Sequence, residues 1–142
     1  MTYTFFEHIS DIGIKAESPT LEGALEDGAA AMLEVMFELD TIVEVEKRAI
    51  KAEAGEIETL FVEVLNEILS IQCRDGLALK RLKTVELKKT PSGFSFKGEA
   101  FGEPIDLKRH VVKTEVKGAT YSALKYVRGE GGTHTLQCIL DV

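Results

Sequence analysis

The 142-residue sequence has no tryptophan, two cysteines and three histidines, and each shortage narrows what the protein can be. Cys73 and Cys138 lie far apart, without a C-x-x-C pair or neighbouring histidines, which excludes a zinc knuckle and a redox motif. We expect both to be small buried side chains. His8, His110 and His134 lack the mutual spacing of a metal site, so a zinc enzyme is not supported.

The sequence also lacks long apolar runs and basic stretches. No run approaches the roughly 18 residues of a membrane span, and residues 1–5 have neither the basic nor the apolar region of a secretion signal. We therefore expect a soluble, cytoplasmic protein that does not bind membranes. Acidic residues outnumber basic ones 24 to 17, which weighs against direct nucleic-acid binding because phosphate contacts need a basic surface. A protein or a cation suits an acidic surface better.

The chain contains enough apolar residues for one hydrophobic core, since 44% of it is hydrophobic. We expect a single domain over residues 1–142. In the first half, alternating apolar residues predict two short strands near residues 3–5 and 12–16, and another strand near residues 43–52. Helical spacing predicts one helix from an N-cap at Thr20 to about residue 40, and a second, with a continuous apolar stripe, from residue 57.

The second half, from residue 77, is rich in strand patterns. Strands are predicted at residues 77–89 and 94–101, followed by a segment to residue 115 and a hairpin that pairs residues 119–128 with 134–142. These elements predict an α+β two-layer sandwich. Its sheet would be mostly antiparallel and mixed, with two helices packed on one face and the other face partly solvated.

Two groups of residues resemble catalytic motifs, but the sequence around each of them does not fit that motif. Residues 129–132, Gly-Glu-Gly-Gly, precede a strand pattern, whereas a phosphate-binding loop precedes a helix, so a hairpin turn is the better interpretation. Ser122, His134 and Asp141 supply the residue types of a hydrolase triad, yet the serine lacks the surroundings of a nucleophile elbow. The sequence therefore assigns no catalytic residue and no nucleotide-cofactor site.

Acidic residues stand at unusual positions near both ends of the chain. Asp11 lies in residues 7–13, Glu-His-Ile-Ser-Asp-Ile-Gly, at a corner between two predicted strands, where its carboxylate must be solvated, cap N–H groups or bind something. The chain stops after Asp141 and Val142 while still in strand pattern. If that strand is ordered, the Asp141 side chain and the terminal carboxylate repel each other, and a hard cation such as Ca²⁺ or Mg²⁺ would relieve the repulsion. The alternative is a frayed, solvated terminus.

Taken together, the motifs resemble those of the archease family over essentially the whole length. Residues 7–13 are similar to that family's His-Thr-Ala-Asp-Ile/Val-Gly opening, with Ile9 and Ser10 in place of Thr-Ala. Residues 102–110 resemble its Gly-Glu followed by a spaced Asp and His. Residues 115–121, Glu-Val-Lys-Gly-Ala-Thr-Tyr, resemble its Glu-Val-Lys-Ala-Ile-Thr-Tyr, and residues 140–142 resemble its Asp-Ile ending.

The resemblance implies a function and a site. It implies an activator, not itself an enzyme, of the GTP-dependent tRNA-splicing RNA ligase, which promotes guanylylation of the ligase's active-site histidine and multiple turnover. The family's essential acidic positions fall on Asp11 and Asp141, and the implied metal site adds the terminal carboxylate of Val142. The expected cofactor is a divalent cation, Ca²⁺ first, or Mg²⁺ or Mn²⁺. Four more residues match family positions and would orient the loop or touch the ligase: His8, His110, Lys117 and Thr120.

Two alternatives remain open at this point. The protein could be a general chaperone-like binding module for RNA-modifying enzymes that uses its sheet surface, or a small metal-dependent hydrolase acting at the same acidic residues. The absence of a recognisable nucleophile and base argues against the second. We expect a monomer or a weak oligomer.

Overall fold

The computed structural model describes residues 2–8 and 11–142. Two α-helices and two short 3₁₀ turns, at Leu39–Thr41 and Glu130–Gly132, interrupt the strands. In chain order the regular elements are β1 (Thr2–His8), β2 (Asp11–Ser18), α1 (Leu21–Met36), β3 (Glu46–Ala54), α2 (Ile57–Asp75), β4 (Leu77–Thr90), β5 (Gly93–Pro104), β6 (Gly118–Arg128) and β7 (His134–Asp141).

The strands form two sheets, one with the order β1-β2-β7-β6 and one with the order β3-β5-β4. Every pairing between the described strands is antiparallel. Both helices contact strands of both sheets, and one hydrophobic cluster contains core residues of both, such as Ile14 and Phe96. The predicted α+β sandwich is confirmed, with the difference that its strands divide between two wholly antiparallel sheets.

Helix α1 begins where the sequence predicts and ends earlier. The Thr20 side chain accepts a hydrogen bond from the Gly23 N–H at 3.0 Å, as expected of an N-cap. The helix stops at Met36 instead of continuing to residue 40, because Phe37 is extended, buried and bridged to Val112. Strand β3 lies later in the chain than predicted: it begins at Glu46, after an exposed stretch that includes Val43, and ends at Ala54.

Helix α2 packs its predicted apolar stripe into the core. Leu60, Phe61, Val64, Leu65 and Ile68 are fully buried. Each contributes about 1.5–3 kcal/mol of hydrophobic stabilisation before conformational entropy is subtracted. The helix ends at Gly76, whose left-handed backbone (φ 64°) is the conformation that glycine adopts at least cost.

Strands β6 and β7 form the predicted hairpin, but β6 is irregular. Thr120 pairs with Ile139 and Lys125 pairs with Gln137, so residues 121–124 lie opposite a single residue of β7. Ala123 has a positive φ of 50° within this bulge. The Gln137 side-chain N–H donates to the Ala123 carbonyl at 3.0 Å and holds the bulge in place.

The cysteines differ from each other in environment. Cys138 is buried as predicted, and burial raises the pKa of its thiol to about 12. For Cys73 the prediction was wrong, because it lies exposed near the end of α2, on the side away from the core.

Within residues 2–8 and 11–142, no helix is long and apolar enough to cross a membrane.

Candidate functional site

The structure brings Asp11 and Asp141 together from opposite ends of the chain. Strand β2 pairs with β7 so that Asp11 lies directly opposite Asp141. The register extends on both sides, since His8 of β1 pairs with Asp11 and Gly118 of β6 pairs with Asp141. We call these four positions, His8, Asp11, Asp141 and Gly118, the acidic row.

The chemistry of the acidic row suits a hard cation. Side chains at directly opposed positions share a face of the sheet, with Cβ atoms about 4.5–5.5 Å apart, and like charges there destabilise the pairing. Asp141 is exposed and Asp11 half-buried, so the carboxylates keep access to solvent. Val142, which is half-buried, follows Asp141 in the chain. Oxygen donors of this kind fit Ca²⁺, Mg²⁺ or Mn²⁺.

The donor set within the protein is small. In the described part of the chain, no group of three or more His, Cys, Asp and Glu side chains is arranged to hold a metal ion. The candidate ligands in this part of the chain are the side chains of Asp11 and Asp141, with Val142 next to Asp141. Because Ca²⁺ takes six to eight oxygen ligands, such a set leaves coordination positions for oxygens from another molecule.

An aromatic ring lies beside Asp11 on the same face of the sheet. Phe6 lies opposite Gly13, two residues along β2 from Asp11. A Cβ atom built on Gly13 would lie 2.1 Å from the Phe6 ring, so the ring occupies the space that any side chain at position 13 would need. Glycine at this position lets the ring lie against the strand beside the acidic corner.

Lys117 and Thr120 are held next to the row by β7. The Lys117 N–H donates to the Asp141 carbonyl at 2.8 Å, and its side chain is exposed. The Thr120 hydroxyl donates to the Ile139 carbonyl at 3.0 Å and accepts a hydrogen bond from the Ser122 N–H at 3.2 Å. Thr120 thus bonds on both sides of the point where the β6 bulge begins.

His110 lies away from the row, in a buried polar cluster. It is 4% exposed, and its Nδ1 accepts a hydrogen bond from the Asp106 N–H at 2.9 Å. The proton therefore sits on Nε2, which donates to Glu103 Oε2 at 3.0 Å. This geometry belongs to a residue that orients the loop, and leaves no ring nitrogen for a partner.

Glu103 is the centre of that cluster. Glu103 is 5% exposed as a whole residue. Its carboxylate accepts hydrogen bonds from the Arg109 guanidinium, the His110 ring and the Val43 N–H. Arg109 first, then His110 and the Val43 N–H, hold the pKa of Glu103 well below its usual range. The cluster ties the end of β5 to the connecting segment, residues 105–117.

The hydrolase triad is excluded by distance. His134 and Asp141 stand at the first and last positions of the eight-residue strand β7, which places them about 24 Å apart at roughly 3.4 Å per residue. The His134 Nδ1 lies 2.7 Å from the Tyr126 hydroxyl instead. Residues 129–132 form the predicted hairpin turn and precede β7, so they do not make a phosphate-binding loop.

Beside Asp11 the surface opens into a cavity of about 660 Å³ between the corner, α1 and the connecting segment. Its walls combine aromatic, aliphatic and charged side chains: Phe5, Phe6, Asp11, Ile12, Glu34, Val35, Lys113 and Thr114. The cavity gives the acidic row an adjoining concave surface of mixed character, which suits contact with a protein side chain.

Sequence reasoning missed one residue that bonds to the site's framework. Asn66 of α2 hydrogen-bonds both backbone groups of Ala119, one residue from the acidic row. The available signal was an asparagine in the middle of a helix, where it is disfavoured unless its side chain has a bonding role. The predicted departures at Ile9 and Ser10 lie outside the described residues, as does the side chain of His8.

Known proteins match this chain over nearly its whole length. The sequence profile of the Archease protein family (MTH1598/TM1083) matches residues 3–142. The chain is 32% identical over 137 residues to Protein archease of Pyrococcus abyssi, with 96% of each sequence covered. It is 34% identical over 131 residues to Protein archease of Methanopyrus kandleri, covering 92% of this chain and 93% of that one. The solution structure of Methanobacterium thermoautotrophicum protein 1598 matches with a TM-score of 0.82 and 28% identity, covering 99% of this chain and 98% of that chain.

Proposed function

Because this chain belongs to the archease family, we propose that it is a non-catalytic activator of the GTP-dependent tRNA-splicing RNA ligase. In this proposal it promotes guanylylation of the ligase's active-site histidine and sustains multiple turnover. The observation that carries the proposal is the direct pairing of Asp11 with Asp141.

The residues of the acidic row would act by holding a divalent cation. Asp11, Asp141 and the terminal carboxylate of Val142 would bind it, with Ca²⁺ the first candidate and Mg²⁺ or Mn²⁺ the others. A bound divalent cation supplies positive charge close to the phosphates of GTP. The protein's part would be to present carboxylates from the ends of two paired central strands. The cation would then be held or exchanged at the ligase's nucleotide site while the histidine reacts.

Two features of the surroundings support docking at this end of the sheet. Lys117 is exposed beside Asp141, and the cavity of about 660 Å³ adjoins Asp11. Phe5 is 48% exposed at its rim. Aromatic residues, including phenylalanine, are enriched at protein interfaces relative to the rest of the surface. We therefore propose that the ligase covers the acidic row and this cavity together, in the cytoplasm.

The test is a guanylylation assay with the ligase from the same organism, GTP and Mn²⁺ or Mg²⁺. The covalent ligase–GMP species should form faster with the wild-type protein. Asp11→Asn and Asp141→Asn should each lower that rate about tenfold or more, as loss of groups at a metal site does. Asp40→Asn, which removes an exposed carboxylate in the 3₁₀ turn, is the matched control. Full activation by both row variants would overturn the proposal.

A second candidate function is favoured by a different observation. Several aliphatic side chains before β3 and on the connecting segment are exposed, with Leu107 at 75% and Val45 at 65%. Exposed apolar surface can hold unfolded or partly folded clients. A general chaperone-like module for RNA-modifying enzymes would suppress client aggregation without metal and with Asp11→Asn, whereas the activator proposal requires neither property.

A further inference from the structure

We propose that Asn66 is a positioning residue for the acidic row, holding the first residues of β6 so that Lys117 and Asp141 keep their places. This inference rests on the proposed function and concerns a residue on α2 that does not itself reach the row's carboxylates. It is carried by two hydrogen bonds to one peptide position at the edge of a sheet.

The Asn66 side chain bonds to Ala119 in the way that the backbone of a neighbouring strand would. The Ala119 N–H donates to Asn66 Oδ1 at 2.8 Å, and Asn66 Nδ2 donates to the Ala119 carbonyl at 3.1 Å. Strand β6 is the edge of its sheet, with β7 on its other side. The carboxamide thus pairs with Ala119 as the backbone of a neighbouring strand would, because it carries a donor and an acceptor on one planar group.

Burial makes this pairing necessary. Ala119 is only 8% exposed and packs in the main hydrophobic cluster. Without Asn66, its N–H and carbonyl would lack partners at a buried position, which proteins avoid. Asn66 is also the single asparagine of the chain, and it stands within a helix, where asparagine costs stability unless its side chain is bonded.

The position of Ala119 fixes the row. Gly118, immediately before it, pairs with Asp141, and Ala119 itself pairs with Leu140. Lys117 donates its N–H to the Asp141 carbonyl. The regular pairing of β6 with β7 stops after Thr120, at the bulge of residues 121–124. The start of β6 is therefore a short paired stretch, and Asn66 secures it from the side that β7 leaves open.

The test measures cation binding and folding separately in the full-length protein. Mn²⁺ affinity would be measured by titration calorimetry, and stability by urea unfolding. Asn66→Ala should weaken Mn²⁺ binding by about tenfold, the size of effect typical of residues that orient metal ligands. Gln137→Ala is the control, because it also removes a side-chain amide bonded to the β6 backbone, at Ala123, but away from the row. It should bind Mn²⁺ as the wild type does.

Asn66→Asp keeps the size of the side chain and decides the case if the alanine variant does not fold. It retains an acceptor for the Ala119 N–H but places an oxygen against the Ala119 carbonyl, so weaker Mn²⁺ binding is again expected. Mn²⁺ affinity within twofold of wild type in a folded Asn66 variant would overturn the inference. If the wild type binds no Mn²⁺, the same variants are compared in the guanylylation assay. There, activation equal to wild type overturns the role of Asn66, while a wild-type protein that does not activate overturns the proposed function instead.

Discussion

Gly13 has no side chain, and this allows the Phe6 ring to lie on β2 beside Asp11. The Phe6 ring fills the space above Gly13, with a Cβ at that position only 2.1 Å away. At Gly118, which flanks the acidic row on its other side, a Cβ would meet Asn66 Oδ1 at 3.6 Å, an ordinary contact. A side chain would therefore clash at position 13 but would fit at position 118. The sequence alone does not distinguish the two glycines.

This difference can be measured by the same substitution at both sites. Gly13→Ala should lower the free energy of unfolding by about 1 kcal/mol, because the half-buried Phe6 ring must move off the strand. Gly118→Ala should change it by less than about 0.5 kcal/mol, as most substitutions without a clash do. Urea unfolding of the two variants checks this. Equal stability losses would show that the Phe6 ring adapts freely and that the corner is not built on Gly13.

At the scale of elements, the connecting segment is fastened at both of its ends. Near its start, Arg109 and His110 bond to Glu103 of β5. Further along, the Lys113 N–H donates to the Met36 carbonyl at 2.8 Å, and the Thr114 N–H donates to that of Val35 at 3.1 Å. The segment thus runs along the end of α1 and leads directly into β6, where the acidic row begins.

The fastening at Glu103 should depend on pH in a definite direction. Because the pKa of Glu103 is lowered in the folded protein from an ordinary value near 4.5, its charge stabilises the fold above that pH. The stabilisation is lost as pH falls further. Glu103→Gln should therefore be less stable than wild type at pH 7, and the difference should shrink below about pH 4.5. Urea midpoints at pH 7, 5 and 3 measure it, and a difference that does not change with pH would contradict the assignment.

The helices and strands were predicted better from the sequence than the pairing between them. Thr20, the α2 stripe and the hairpin at residues 129–132 carry local signals of capping, period and turn. The end of α1 was predicted four residues late, since Phe37 leaves the helix to pair with Val112, a contact distant in sequence. The division into two sheets was missed for the same reason: alternation tells which face of a strand is buried, not which strand lies beside it.

For the whole molecule, the central result is that both chain ends meet in one sheet. Strand β2, near the start, pairs with β7, the last strand, and the register sets Asp11 against Asp141. The sequence predicted this meeting through the family resemblance and the acidic chain end. Helix α2 was predicted, but its contact with β6 was not, because Asn66 and Ala119 are 53 residues apart in the sequence.

Cation binding to the purified protein tests this account most directly. Titration calorimetry with Ca²⁺ and with Mn²⁺ should give one ion per chain for the wild type and for Asp40→Asn. Asp11→Asn and Asp141→Asn should each abolish that binding, because the account makes the two carboxylates halves of one site. Binding by the wild type that survives either row substitution unchanged, or no binding at all, would contradict it.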